Sequence, residues 1–282
     1  MTTTSEVGSV TVPGGDLAYE VLGGSTAPVL AIHGISSQRR LWSWLHAEAP
    51  ELTLVTPDLR GRGDSVEVQG PYGLARHADD MTTVLDVLGL DRVPVVGMSM
   101  GGFVALELRH RHPERVASLT LVDGGFPLTP PPGLTPDNVE VAFADRTGRL
   151  GRRWDRLDAY LEYFCSTTGQ LLDPDDPLLR HYLDHDLRDG LVRLSADALV
   201  EDGRDTFFGD VPWRDVGVPV RWTHAEWSIG RESAPMYPAD VVDMYAPQCV
   251  SVVALDGLDH AGTIMTVRGA QATAALLREA LA

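Results

Sequence analysis

The sequence predicts an α/β protein: a mainly parallel sheet covered by helices on both faces, with one helical insertion late in the chain. Three observations carry that prediction. Short runs rich in β-branched residues alternate with segments whose apolar residues recur at helical spacing, the pattern of strand–crossover–strand units. One junction, Val93-Pro-Val-Val-Gly-Met-Ser-Met-Gly-Gly102, reads as a strand, a sharp turn and the start of a helix. Residues 152–207 then abandon the alternation for an extended helical pattern.

Taken in order, residues 16–22 alternate like a strand and stop at Gly23-Gly24. Residues 28–32 form an apolar, buried-type strand ending at His33-Gly34, and 52–56 form another ending at Pro57-Asp58. Between them Leu41, Trp42 and Leu45 recur at helical spacing. Residues 77–88 are helical, with Met81, Val84, Leu85 and Leu88 on one face. The strand 93–96, the helix 103–112 (ended by Pro113) and the strand 117–122 follow. Residues 126–137 carry five prolines and exclude regular structure. From 152 to 207 the chain reads as wholly helical, with Trp154, Leu157, Leu161 and Phe164 on one stripe. Residues 209–216 lead back to strands at 218–223 and 250–255 and to a C-terminal helix rich in Ala and Leu. The expected division is a core at 1–125, a helical cap at 126–212 and the rest of the core at 213–282. No internal repeat or low-complexity segment interrupts it.

Composition narrows the partners. The chain has 282 residues, 44% of them hydrophobic, enough for a sizeable core. A net charge of −17 disfavours nucleic acid and anionic membrane surfaces, so a neutral or apolar small molecule is the expected ligand. Two scattered cysteines, Cys165 and Cys249, suggest a reducing compartment. The opening Met1-Thr-Thr-Thr-Ser-Glu-Val-Gly8 lacks a basic patch followed by an apolar stretch, and no apolar run approaches about 18 residues. A soluble cytoplasmic protein is therefore expected, with room for a homodimer.

Ser99 stands at the apex of the strand–turn–helix junction. Glycines at 97 and 101 leave the turn free of side chains, which lifts the hydroxyl above the sheet. The same geometry aims the Met100 amide and the helix N-terminus at whatever the serine attacks. A glycine-rich turn that merely packs is the alternative. A serine nucleophile needs a base, and His260, in Asp256-Gly-Leu-Asp-His-Ala-Gly262 just past the last strand, is the candidate. A histidine satisfied structurally is the competing reading, but the chain order nucleophile–acid–histidine favours the base. His110 and His112 end a helix and read as solvated. His181 and His185 lie four apart, a spacing that can bind zinc, but Tyr182 occupies the place of a metalloprotease glutamate. Neither metal nor cofactor is expected. The oxyanion donors would be the N–H groups of Met100 and of Ile35, in the loop after residues 28–32.

These motifs resemble those of the capped α/β-hydrolases, in the esterase, lactonase and haloperoxidase-like group. The matching features are His33-Gly34, Asp58-Leu-Arg-Gly-Arg-Gly-Asp-Ser65, Gly97-Met-Ser-Met-Gly-Gly102 and Asp259-His260, in the family's order. The resemblance implies an eight-stranded, mostly parallel sheet flanked by helices, with a helical cap after strand six. It also implies a serine hydrolase that cleaves a small apolar ester or lactone through an acyl-enzyme, zearalenone-type lactonases being among the nearest relatives. The segment 58–65 is chiefly structural in that family. Epoxide hydrolases and haloalkane dehalogenases of this fold carry aspartate where Ser99 stands, so their mechanism is not implied. The acid usually follows strand seven in a His-Gly-x-x-Asp segment, which here reads His224-Ala-Glu-Trp-Ser228. Two candidates follow: Glu226, two positions early, and Asp123 in Leu121-Val-Asp-Gly124, at the strand-six position some family members use. Asp123 is preferred because strand six neighbours the nucleophile strand. A strand-end aspartate capping a turn is its simpler reading. The cap aromatics Trp154, Tyr160, Tyr163 and Phe164 suggest an apolar roof, and 222–236 would add to the pocket. C–C bond hydrolysis and cofactor-free perhydrolysis use similar machinery, and a non-catalytic ligand receptor is the alternative outside enzymes.

Overall fold

The computed structural model describes residues 5–282, the side chain of Asp145 apart. The opening residues 1–4, read above for a leader, lie outside that range. A hairpin of β1 (Ser5–Val12) and β2 (Gly15–Leu22) starts the fold. Then β3 (Pro28–Ile32), α1 (Ser43–Glu48), β4 (Thr53–Pro57), α2 (Leu74–Val87), β5 (Val93–Met98), α3 (Met100–Arg111) and β6 (Val116–Val122) follow. The chain next leaves the sheet for α4 (Ala144–Thr147), α5 (Leu157–Ser166) and α6 (Pro177–Asp186). A two-residue ladder of β7 (Leu187–Arg188) and β8 (Leu191–Val192) leads to α7 (Ala196–Phe208). The chain returns at β9 (Val220–Trp227), then α8 (Ala239–Tyr245), β10 (Ser251–Asp259) and α9 (Val267–Leu281).

The sheet runs β1-β2-β4-β3-β5-β6-β9-β10. The first two pairings, β1 with β2 and β2 with β4, are antiparallel and the rest parallel. Its central strands are predominantly apolar because both faces are covered. Period-two alternation divides their side chains between two cores. Leu30, Ile32, Val95, Leu119 and Leu121 point to the side packed by Met81 and Leu85 of α2 and Phe103 of α3. Val29, Ala31, Val96 and Val122 point to the side packed by Leu45 of α1 and Ala274 and Leu277 of α9. No helix among the described residues is long and apolar enough to cross a membrane.

Three sequence expectations need correction. The sheet begins one strand earlier than residue 16, at β1, which carries little sequence signal because as an edge strand it buries only Val10 and Val12. The stretch 152–207 is not wholly helical. It is three helices and a hairpin joined by irregular segments, and the hairpin's turn residues, Asp189 (φ 52°) and Gly190 (φ 75°), both adopt left-handed backbone conformations. Asp-Gly is the preferred pair for that turn, and the signal was hidden because the strands are two residues long. Third, β9 runs to Trp227, so Glu226 lies within a strand rather than in a loop, on an exposed position.

The excursion between β6 and β9 closes over the carboxyl end of the sheet. Trp154, Tyr160 and Phe164 are buried in the core cluster that includes Met98 and Met265, so most of the cap aromatics hold the cap down. Trp222 is not a pocket residue. It packs edge-on to Phe126 (4.9 Å between centroids) and Tyr237 (5.0 Å).

Candidate active site

The turn at Ser99 is as tight as the sequence requires. Ser99 is held at φ 55°, ψ −125°, between the last residue of β5 and the first of α3. An ordinary residue rarely adopts that conformation, and the surroundings must enforce it. They do: a Cβ added at Gly97 would lie 2.2 Å from the Gly101 carbonyl oxygen, and one at Gly101 would lie 2.0 Å from that of Ile32. Only glycine lets β3, β5 and α3 meet here. The Ser99 N–H donates to the Val122 carbonyl at 2.9 Å, which ties the apex to the end of β6.

Asp123 directly follows β6, also in a left-handed conformation (φ 42°), and is 1% exposed. One carboxylate oxygen accepts the Ala225 N–H at 3.0 Å. The other lies 2.6 Å from His260 Nδ1. His260 follows β10, and its own N–H donates to the Ser228 carbonyl at 2.9 Å. Of the two acids the sequence offers, the structure brings Asp123 to the imidazole. Glu226 instead accepts the Gly257 N–H at 2.6 Å, bracing the turn that precedes the histidine.

Ser99 and His260 line one cavity of about 70 Å³, together with Gly34 and Ile35 from the loop after β3. That loop presses on Ser99: a Cβ at Gly34 would stand 3.2 Å from the Ser99 Cβ. Leu41, Met98, Phe164 and Met265 make most of the remaining wall apolar. The cap adds three residues no sequence signal marked as lining: Thr168, Tyr182, and Arg146, the one arginine on the cavity wall among the described residues. Met100 lies under the turn, 1% exposed, at the first position of α3.

The segment 58–65 buttresses the site without entering it. Arg60 is fully buried in an ion pair with Asp80 of α2 at 2.6 Å. The Ser65 hydroxyl accepts the Ala18 N–H at 2.8 Å. Burial disfavours the charged form of Asp58, but His185 and the Arg39 guanidinium outweigh it and hold the carboxyl at about 2. Burial pushes the His33 ring down to about 4. Asp58, Asp64 and His185 converge closely enough to hold a cation. Arg39 already pairs with both carboxylates and Arg193 with Asp64, so the cluster is an ion-pair network.

Comparison with known proteins agrees with this architecture. A sequence model of the alpha/beta hydrolase fold matches residues 27–154. The chain is 32% identical over 161 residues to the lipase LipV of Mycobacterium tuberculosis, covering 57% of this chain and 58% of that one. It is 41% identical over 113 residues to the putative carbamate hydrolase RutD of Caulobacter vibrioides, covering 38% and 42% respectively. The chain spans between 37% and 58% of the length of such curated relatives. Among solved structures, an esterase from Thermogutta terrifontis superposes with a TM-score of 0.72 over 98% of this chain and all of that one, at 20% identity. The chain is a member of the α/β-hydrolase fold class.

Proposed function

We propose that the protein is a serine hydrolase of a small, largely apolar carboxylic ester or lactone. The single observation that carries this reading is the 2.6 Å contact between buried Asp123 and His260 in the cavity that Ser99 also lines. Ser99 Oγ attacks the substrate carbonyl while His260 Nε2 takes its proton. The ester bond then breaks, and the imidazolium returns the proton to the departing alkoxide. Water, deprotonated by the same nitrogen, attacks the acyl-enzyme; the acyl–Oγ bond breaks, the imidazolium returns that proton to Ser99 Oγ, and the acid is released. Asp123 keeps the proton of the neutral ring on Nδ1, so that Nε2 is free to act as base. The N–H groups of Ile35 and Met100 receive the developing oxyanion. Esterase, lipase and carbamate hydrolase names among the similar proteins support acyl transfer as the reaction class.

The apolar wall favours an apolar acyl group, and Arg146 would favour a substrate with an anionic or strongly polar end. We place nucleic acid and membrane outside its partners. Fluorophosphonate labelling tests the reading: the wild type should be modified at Ser99 and show a burst with p-nitrophenyl butyrate, and Ser99→Ala should do neither. A wild type that neither labels nor turns over would leave a ligand receptor as the better reading.

A further inference from the structure

Three consecutive carbonyls in the loop after β3 are each held by a side chain. His33 Nδ1 lies 2.8 Å from the Gly34 oxygen, while its Nε2 accepts the Leu59 N–H at 2.9 Å, so the proton sits on Nδ1. Arg62 Nε donates to the Ile35 oxygen at 2.9 Å. Arg149 Nη2 donates to the Ser36 oxygen at 2.7 Å. In a planar trans peptide the carbonyl and the next N–H point in opposite directions. Fixing the Gly34 oxygen therefore aims the Ile35 N–H. Arg62 and Arg149 fix the next two peptides, and the Ser37 N–H that Arg149 sets donates back to the Gly34 oxygen at 3.2 Å, so their hold reaches the Ile35 amide through this turn.

The two guanidinium groups are anchored in the cap. Arg62 is fully buried and pairs at 2.5 Å with Asp202 of α7. Arg149, which lies between α4 and α5 and is 3% exposed, donates to the Tyr160 hydroxyl at 2.7 Å and pairs with Asp186 of α6 at 3.2 Å. The Tyr160 hydroxyl closes that triangle on Asp186 at 2.5 Å. Tyr182 adds a third tie, from its hydroxyl to Ser37 Oγ at 3.0 Å. Arg62 also donates to the Arg60 carbonyl at 2.8 Å, whereas the donors of Arg149 are divided between the loop and the cap groups Tyr160 and Asp186, so Arg149 cannot shift without moving both.

Resting on the serine-hydrolase reading above, we propose that Arg149 and Arg62 are positioning residues, through which the seating of the cap sets the oxyanion loop. The cap then acts on turnover as well as on substrate fit. Displacing a transition-state contact by about an ångström costs on the order of 100-fold in rate. Arg149→Met should therefore lower kcat for p-nitrophenyl butyrate by about 10- to 100-fold with KM changed less than threefold. Its affinity for a trifluoromethyl ketone, which binds as a tetrahedral oxyanion, should fall by a similar factor, while an unreactive alcohol of the same chain length should bind as before. Arg149→Lys should recover part of the loss, and Arg153→Gln, on the exposed cap surface, should behave as wild type.

A folded Arg149→Met with unchanged kcat would overturn the proposal. So would parallel losses in kcat, KM and alcohol binding, which would make Arg149 a structural tie only. If Arg149→Met does not fold, Tyr160→Phe keeps the ring and removes the hydroxyl joining Arg149 to Asp186. It should lower kcat and ketone affinity together, and no change in either would refute the coupling. A wild type with neither turnover nor labelling at Ser99 would overturn the serine-hydrolase reading and this proposal together, whereas an active wild type with an insensitive Arg149 would overturn the positioning alone.

Discussion

Replacing Asp123 by asparagine tests the site most sharply, because the structure fixes how the new amide must lie. One oxygen of Asp123 accepts the Ala225 N–H at 3.0 Å, and the other faces His260 Nδ1 at 2.6 Å. An asparagine must keep its single carbonyl oxygen on Ala225, since an NH₂ there would meet another donor. Its NH₂ then faces Nδ1, which must give up its proton and accept. The imidazole is driven into the tautomer protonated on Nε2, and that nitrogen can no longer take the Ser99 proton. Loss of the correct tautomer in a serine triad costs about 10⁴ in kcat, equivalent to about 5.5 kcal/mol of barrier. Glu226→Gln, by contrast, keeps an acceptor for the Gly257 N–H and should leave kcat within about threefold, the hydrogen bond being exposed and its net worth near 1 kcal/mol. Steady-state and burst hydrolysis of p-nitrophenyl butyrate by both variants, with folding checked by near-ultraviolet circular dichroism, is the assay. Asp123→Asn retaining a tenth of wild-type kcat, with Glu226→Gln falling a thousandfold, would refute the argument and return the acid to β9.

Three further outcomes follow from the geometry. Gly101→Ala sets a Cβ 2.0 Å from the Ile32 oxygen and should destabilise the fold by about 3 kcal/mol or more in urea titrations; a wild-type midpoint would contradict the close approach. Burial lowers the His33 ring to about 4. Above an unfolded-state value of about 6.5 neither state is protonated there; as pH falls from 6.5 toward 4 only the unfolded chain takes up the proton, so stability drops by up to about 3 kcal/mol. The urea midpoint should fall across that window in the wild type and fall less in His33→Gln, and identical slopes would exclude His33 as the cause. Arg146→Gln should lower the preference for a p-nitrophenyl hemisuccinate over the neutral butyrate by about tenfold, and an unchanged ratio would remove Arg146 from substrate recognition.

Much of this was legible in the chain, for reasons that differ by element. Strands β3, β5 and β6 announce themselves because strands buried on both faces read as near-continuous apolar runs, Ser118 and Thr120 of β6 being the polar exceptions. The turn at Ser99 is legible because steric exclusion leaves glycine as the only choice at 97 and 101. The hairpin at 187–192 escaped because two-residue strands carry no periodicity, although Asp189-Gly190 was in plain view. The acid stayed open because a triad is defined by proximity across strands, and neither Asp123 nor Glu226 carries that proximity in its neighbours. In the fold β9 continues to Trp227 and leaves Glu226 exposed on the Gly257 N–H, whereas Asp123 meets His260. Arg62 and Arg149 are separated by 87 positions from one another and meet one loop only through the fold, so no local pattern marks their shared task.

The place of Asp123 after β6 redistributes freedom along the rim of the sheet. Ser99 and Asp123 hang from neighbouring strands whose spacing is fixed by the ladder, including the bond from Ser99 N–H to the Val122 oxygen. The chain beyond β9 is bound to the histidine through Ser228 and Gly230, whose N–H donates to Asp259 at 3.0 Å. Past those anchors, residues 231–236 carry no part of the proposed triad. Within that stretch only the Ser233 hydroxyl, which accepts the Ile229 N–H at 3.0 Å and donates to the Gly230 carbonyl at 2.9 Å, reaches back to the anchors, so the positions around it touch the histidine only through that serine.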